Sequence, residues 1–171
     1  VVATQSFVNK SYGLKGLALM KQGKTASAAL KELLAADEGR EVRQVAMIDA
    51  HGNVNAYTGK NCIDYASNIV GKNYSVQSNM MLTNNVCEAM SKAFLASEGK
   101  SLAERVLIAL HAAQAAGGDI RGKQSAAILV VAGKSTGQPW NERLIDLRVD
   151  DNKAPLDELD RLLRLYRAYE H

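Results

Sequence analysis

Apolar residues in this chain recur at two spacings, and segments of each kind arrive in pairs. That pairing restricts the architecture more than any single motif does. Residues 4–8 suit a short strand, and a helical spacing fits 12–22, with Leu14, Leu17, Ala18 and Met20 apolar and Gly23 placed to stop it. Thr25 is suited to cap a second helix through 36, whose stripe is Ala29, Leu30, Leu33 and Leu34. Residues 42–48 and 53–57 flank Asp49-Ala50-His51-Gly52, which reads as a hairpin turn. Residues 59–83 read as irregular. Asn84 or Asn85 caps a helix to about Ser97, and Ser101-Leu102-Ala103-Glu104 is a capping box opening another that runs into Gly117-Gly118. Segment 125–132 is apolar on both alternating faces and predicts a central strand covered on both sides. Residues 144–149 alternate, with Ile145, Leu147 and Val149 on one face, and Pro155 opens a last helix along Leu156, Leu159, Leu162, Leu163 and Tyr166. Paired strands with short turns, and helices also in pairs, imply an α/β chain of the α+β kind. Its antiparallel sheet would carry helix layers outside.

At 171 residues, with 47% hydrophobic and 23% charged side chains, the chain suits one globular domain over 1–171. A net charge of +3 and 5% aromatics argue against a nucleic-acid partner. The longest apolar run, 126–132, is far too short for a membrane span. No G-x-G-x-x-G or Walker A loop is present, so no nucleotide cofactor is expected. His51, His111 and His171 are scattered, and Asp146, Asp150 and Asp151 match no EF-hand spacing, so no metal is expected either. Cys87 falls on a helix face with Val86, Met90 and Phe94 and reads as core. Cys62 follows Gly59-Lys60-Asn61 and reads as a packing residue, the more exposed of the two.

Three segments could carry chemistry. Residues 115–127 pack three glycines, Asp119, Arg121, Lys123, Gln124 and Ser125 into the turn before a buried strand. An Asp two residues before an Arg can orient a guanidinium that grips a carboxylate, and Gln124-Ser125 would be polar where the strand enters the core. Tyr74-Ser75-Val76-Gln77-Ser78-Asn79-Met80-Met81 sets amide and hydroxyl groups beside apolar ones, as in a pocket wall. Ala3-Thr4-Gln5-Ser6-Phe7-Val8-Asn9 is uninformative on its own.

Together these runs resemble one family. In order they are Ala3-Thr4-Gln5-x-Phe7-Val8-Asn9-x-Ser11-Tyr12-Gly13, Tyr57-Thr58-Gly59-x-x-Cys62, Tyr74-Ser75-Val76-Gln77-x-Asn79-Met80, Gly118-Asp119-x-Arg121-Gly122-x-Gln124-Ser125-Ala126-Ala127 and Asp146-Leu147-Arg148-Val149-Asp150-Asp151. The chain is similar throughout to the bacterial family catalogued as domain of unknown function ten twenty-eight, grouped with the N-terminal-nucleophile (Ntn) hydrolases. The family usually has Gly-Asn-Met where this chain has Ser78-Asn79-Met80.

The resemblance implies a four-layer αββα sandwich and hydrolysis of an amide bond in a small amide or peptide-like substrate. In such enzymes the α-amine of an N-terminal Thr, Ser or Cys activates its own side chain. It further implies that the nucleophile and first strands precede Val1, so the sandwich is expected to be incomplete here and to need an upstream segment or companion chain. Thr4 and Gln5 would lie near the oxyanion hole, with Asn79 a second polar contact. Asp119 with Ser125 would hold the amine–nucleophile end, and Arg121 would bind a substrate carboxylate. The alternative is a non-catalytic binding or assembly module on the same scaffold. Some relatives carry a peptidoglycan-binding domain, which makes a cell-wall fragment a conceivable ligand, and a homo-oligomer is conceivable as well.

Overall fold

The structure, a computed structural model, describes residues 1–169. In chain order the elements are β1 (Val2–Ser6), α1 (Ser11–Lys21), α2 (Ala26–Ala35), β2 (Arg43–Ile48), β3 (Val54–Thr58), β4 (Ser67–Gly71), β5 (Tyr74–Ser78), α3 (Val86–Ala96), α4 (Leu102–Ala115), β6 (Ala126–Val131), β7 (Arg143–Val149) and α5 (Pro155–Tyr169). The chain forms two compact units, Val1–Glu88 and the part from Ala89 onward, and each has its own core. No described helix is long and apolar enough to cross a membrane. His171 lies outside the described residues.

In the first unit β1, β2 and β3 form an antiparallel sheet in that order, with Gln5 opposite Gln44 and Gln44 opposite Thr58. Strand alternation sends Val45 and Met47 to one face, where α1 and α2 cover them. Tyr12, Ala26, Ala29 and Leu30 complete that core, and Val2, Leu33, Leu34 and Tyr57 pack against it. The helix boundaries follow the local chemistry read from sequence. The Thr25 hydroxyl accepts from Ala28 N–H at 3.2 Å, and Gly23 takes φ +93° just beyond α1. Asp49 both fixes the β2–β3 turn and caps α2 from outside, accepting from the N–H groups of His51, Asn53 and Ala26. Gly16 lets α1 approach the sheet: a Cβ there would lie 2.9 Å from Met47 Cε and 3.1 Å from Val2 Cγ2. At Gly59 a Cβ would meet the Glu41 carbonyl oxygen at 2.3 Å, so the chain leaving β3 passes against backbone there.

One expectation fails in this unit. Residues 59–83 are not irregular, because β4 and β5 form an antiparallel hairpin with Ser67 opposite Ser78. Their polar side chains hide the strand pattern, and Asn73 at φ 64° makes the turn. Cys62 is buried, in keeping with the packing role read for it, and its thiol donates to the Arg43 carbonyl at 3.3 Å.

In the second unit β6 and β7 pair antiparallel, with a register irregularity at Val130/Val131. Ile128 and Val149 point to α4 and α5 and pack with Ala103, Leu107, Leu159 and Leu163. The predicted capping box forms: the Ser101 hydroxyl accepts from Glu104 N–H, and the Glu104 carboxylate accepts from Ser101 N–H. The expectation of a central strand covered on both faces is overturned. The β6–β7 sheet has two strands, and Leu129 is 61% exposed. The outward neighbours supplied by β7 are Asp146, opposite Leu129, and Arg148, opposite Ala127, so that face is mixed rather than apolar. A continuous apolar run reports one strand; its partner decides how wet the second face is.

Candidate functional site

The first unit concentrates polar side chains on the face of β1–β3 opposite the helices. Gln44, fully buried, is the hub. Its Oε1 accepts from Gln5 Nε2 and from Asn79 Nδ2, the latter at 3.1 Å. Its Nε2 lies 2.9 Å from Thr58 Oγ1, 2.9 Å from the Ser78 carbonyl and 3.1 Å from the Ser67 carbonyl. The β4–β5 hairpin therefore lies against this face at Gln44. Thr58 in turn donates to Asn68 Oδ1 at 2.7 Å, and Ser78 Oγ meets the Cys87 sulfur at 3.2 Å.

Buried amides need all their partners, and such a network has one low-energy arrangement. Gln44 Oε1 spends both lone pairs on two incoming amides. Gln5 and Asn79 each spend one N–H on it, and each primary amide carries a second N–H. Both side chains are partly exposed. The arrangement thus presents two anchored donors to anything that approaches the rim of the cluster.

Thr4 does not join them. Successive residues on a strand face opposite ways, so Thr4 points with Val2 toward the helix-covered side while Gln5 points to Gln44. Thr4 Oγ1 is buried with no hydrogen-bond partner among the described residues. A cavity of about 430 Å³ on the helix side, lined by Leu30, Lys31, Asn55 and Tyr57 among others, includes none of Gln5, Gln44 or Asn79.

The chain beyond β1 is fixed by a second network. Asp37 is paired with Arg43 at 2.9 Å and accepts from Tyr12 Oη at 3.2 Å and Asn9 Nδ2 at 3.4 Å, while Arg43 Nη1 donates to the Phe7 carbonyl at 2.7 Å. The Arg43 hydrogen bond, above all, holds the Asp37 carboxyl down at about 2. Burial, followed by the Asp37 charge, pushes the Tyr12 phenol up to about 12.

The remaining candidates belong to the second unit. Asp119 takes its hydrogen bonds from Arg121: the backbone N–H at 2.8 Å, Nε at 3.0 Å and Nη2 at 2.7 Å. This forked pair lowers the Asp119 carboxyl and raises Arg121, whose side chain is 66% exposed. Ser125 and Gln124 are exposed, against the expectation that they enter the core as buried polar groups. The strand starts one residue later, at Ala126, so the polar pair stays in the turn. The structure thus joins Gln5 to Asn79 through Gln44 in the first unit, and Asp119 to Arg121 in the second. Sequence reasoning missed Gln44. The available signal was a lone amide opening the apolar stretch Val45-Ala46-Met47-Ile48.

Among the described residues, small antiparallel sheets with five helices, and a buried amide cluster on the face of the larger sheet opposite its helices, define an α+β protein. The chain belongs to the family of unknown function DUF1028, which matches residues 1–159. It is similar to the protein SPO2555 from Silicibacter pomeroyi, of the same family. That crystal structure superposes with a TM-score of 0.82 at 30% identity, over 95% of this chain and 68% of the other. No functionally curated protein matches.

Proposed function

We propose that this chain is an Ntn-type amidohydrolase domain of the four-layer αββα kind, which binds a small amide or peptide-like substrate at the Gln5–Gln44–Asn79 cluster. The observation that carries the reading is the pair of amides locked on one buried acceptor, Gln44 Oε1, each with an N–H to spare. Donors fixed before the substrate arrives suit a carbonyl oxygen that gains charge during acyl transfer, because they need no reorganisation at that moment. A helix-covered sheet in each unit is the layer composition such a sandwich requires. In this reading the nucleophile is the side chain of an N-terminal Thr, Ser or Cys, and the resemblance to the family puts Asp119 and Ser125 at its amine end.

A second reading, a binding module on the same scaffold, is favoured by one observation. Asp119 is held in a forked pair by Arg121, and Ser125 is exposed. The test is hydrolysis of a panel of N-acyl amino acids, short peptides and primary amides by the full natural protein, followed by mass spectrometry. Turnover that falls about 100-fold or more in Asn79→Ala, the usual loss for one such donor, supports the enzyme. Turnover unchanged in that variant removes the cluster from the site. Saturable binding of panel members without turnover supports the module, and neither binding nor turnover overturns both.

A further inference from the structure

We propose that His111, Asp157 and Asp160 form a site for one divalent transition-metal ion, zinc fitting best, where α4 packs on α5. The site is independent of the amide cluster. Asp157 and Asp160 stand three apart on α5 and so share a face, and His111 meets them from α4. One ligand atom from each residue lies within 4.8 Å of the other two, and His111 Nε2 is 2.6 Å from Asp160 Oδ2. The side chains of His111 and Asp160 are 39% and 33% exposed, which leaves room for an ion and its waters.

Ordinary packing explains these residues one at a time. A histidine beside an aspartate is a common surface pair, and Asp157 sits in the first turn of α5, where the helix dipole favours negative charge. Their convergence is a different matter. Asp157 has no hydrogen-bond or ion-pair partner among the described residues, although its carboxylate stands beside a second one with a single imidazole to share. Arg161, one turn further along, is held in a fork by Glu158 at 2.9 and 2.7 Å. Arg164 and Lys100 line the adjoining cavity of about 340 Å³ with His111 and Asp160, yet neither makes an ion pair there. Two carboxylates and an imidazole therefore converge with no Lys or Arg among the described residues paired to either carboxylate.

The donor set selects the metal class. Imidazole suits zinc and its neighbours, whereas calcium and magnesium prefer oxygen alone. Zinc holds nitrogen and carboxylate oxygen at about 2.0–2.2 Å, which sets the ligand atoms roughly 3.3–3.5 Å apart. The His111–Asp160 contact therefore opens to admit the ion while Asp157 closes on it, adjustments that partly exposed rotamers allow. His111 must offer an unprotonated nitrogen, so binding moves its proton to the far ring nitrogen or releases it to water. Three protein ligands leave a fourth position for water. The sequence expectation of no metal rested on local spacing, whereas His111 and Asp160 lie 49 residues apart.

The test is calorimetric titration of the untagged, chelator-stripped chain with zinc chloride and, separately, calcium chloride. The cobalt absorption spectrum is recorded alongside. The expected result is one zinc per chain, no calcium binding, and affinity at least ten-fold weaker in both His111→Ala and Asp157→Asn. Asp157 is exposed and unpartnered, so its variant folds, and metal-free melting curves check both. Absence of zinc binding overturns the site, as does affinity unchanged in either variant. A near-ultraviolet thiolate band from cobalt, which would move the ion to Cys62 or Cys87, does so equally.

Discussion

Replacing Gln44 by Met tests whether the buried amide organises the first unit. Met fills a similar volume without polar atoms, so no large cavity accompanies the change. The Ser67 carbonyl keeps the Cys87 thiol at 3.3 Å, whereas the Ser78 carbonyl loses its Gln44 donor in a buried setting. Gln5 and Asn79 lose their shared acceptor but are partly exposed and can turn to water. One buried orphan costs about 1–3 kcal/mol. Adding the half-solvated amides sets the net loss at about 2–3 kcal/mol, which lowers Tm by roughly 4–10 °C in a chain this long. Gln44→Glu keeps the acceptor, loses the donor and buries a charge, so it is the more damaging change. Urea unfolding followed by far-ultraviolet circular dichroism reads both. A Gln44→Met midpoint shift worth less than about 0.5 kcal/mol, or a Glu variant as stable as the parent, refutes the reasoning.

Thr4→Val removes a buried hydroxyl that has no partner among the described residues and is expected to stabilise by about 1 kcal/mol; a loss of stability in the same urea experiment means the hydroxyl is satisfied. Because Asp37 ionises at about 2 when folded and near 4 when unfolded, its contribution is present above pH 4 and lost as pH falls toward 2. Asp37→Asn flattens that limb of the pH–stability curve. Tyr12, raised to about 12 from an ordinary 10, works in the opposite direction: stability present below pH 10 declines as pH rises toward 12, and Tyr12→Phe removes that decline. Ser101→Ala breaks the capping box and costs about 1 kcal/mol, measured as a lower urea midpoint.

Features fixed by chemistry within a few residues were legible in the sequence. Thr25, Gly23, Ser101 with Glu104, and Pro155 each act on their own helix end, and the structure has them doing so. Features fixed by distant partners were not. The β4–β5 strands carry Ser67, Asn68, Ser75, Gln77 and Ser78, which leave only the short apolar pair Ile69 and Val76 on the inner face, and Gln44 on β2 gives the polar end of that face a buried partner. Asn79 and Gln5 were both singled out, but the residue that joins them was not, since nothing local marks Gln44 as a hub. The same reasoning separates Thr4 from Gln5. Adjacency in sequence suggested one site, and strand alternation places their side chains on opposite faces.

The central claim is that Gln5 and Asn79 offer donors to a substrate amide. The most direct measurement follows the side-chain NH2 signals of Gln5, Gln44 and Asn79 in the nitrogen-15-labelled protein, titrated with acetamide and N-acetylglycinamide. The account predicts that the Gln5 and Asn79 signals move together and saturably, that Thr4→Val leaves this unchanged, and that Gln44→Met abolishes it. If neither amide moves those signals in the folded protein, or if they move unchanged in Gln44→Met, the cluster is a structural network and the amide site lies elsewhere.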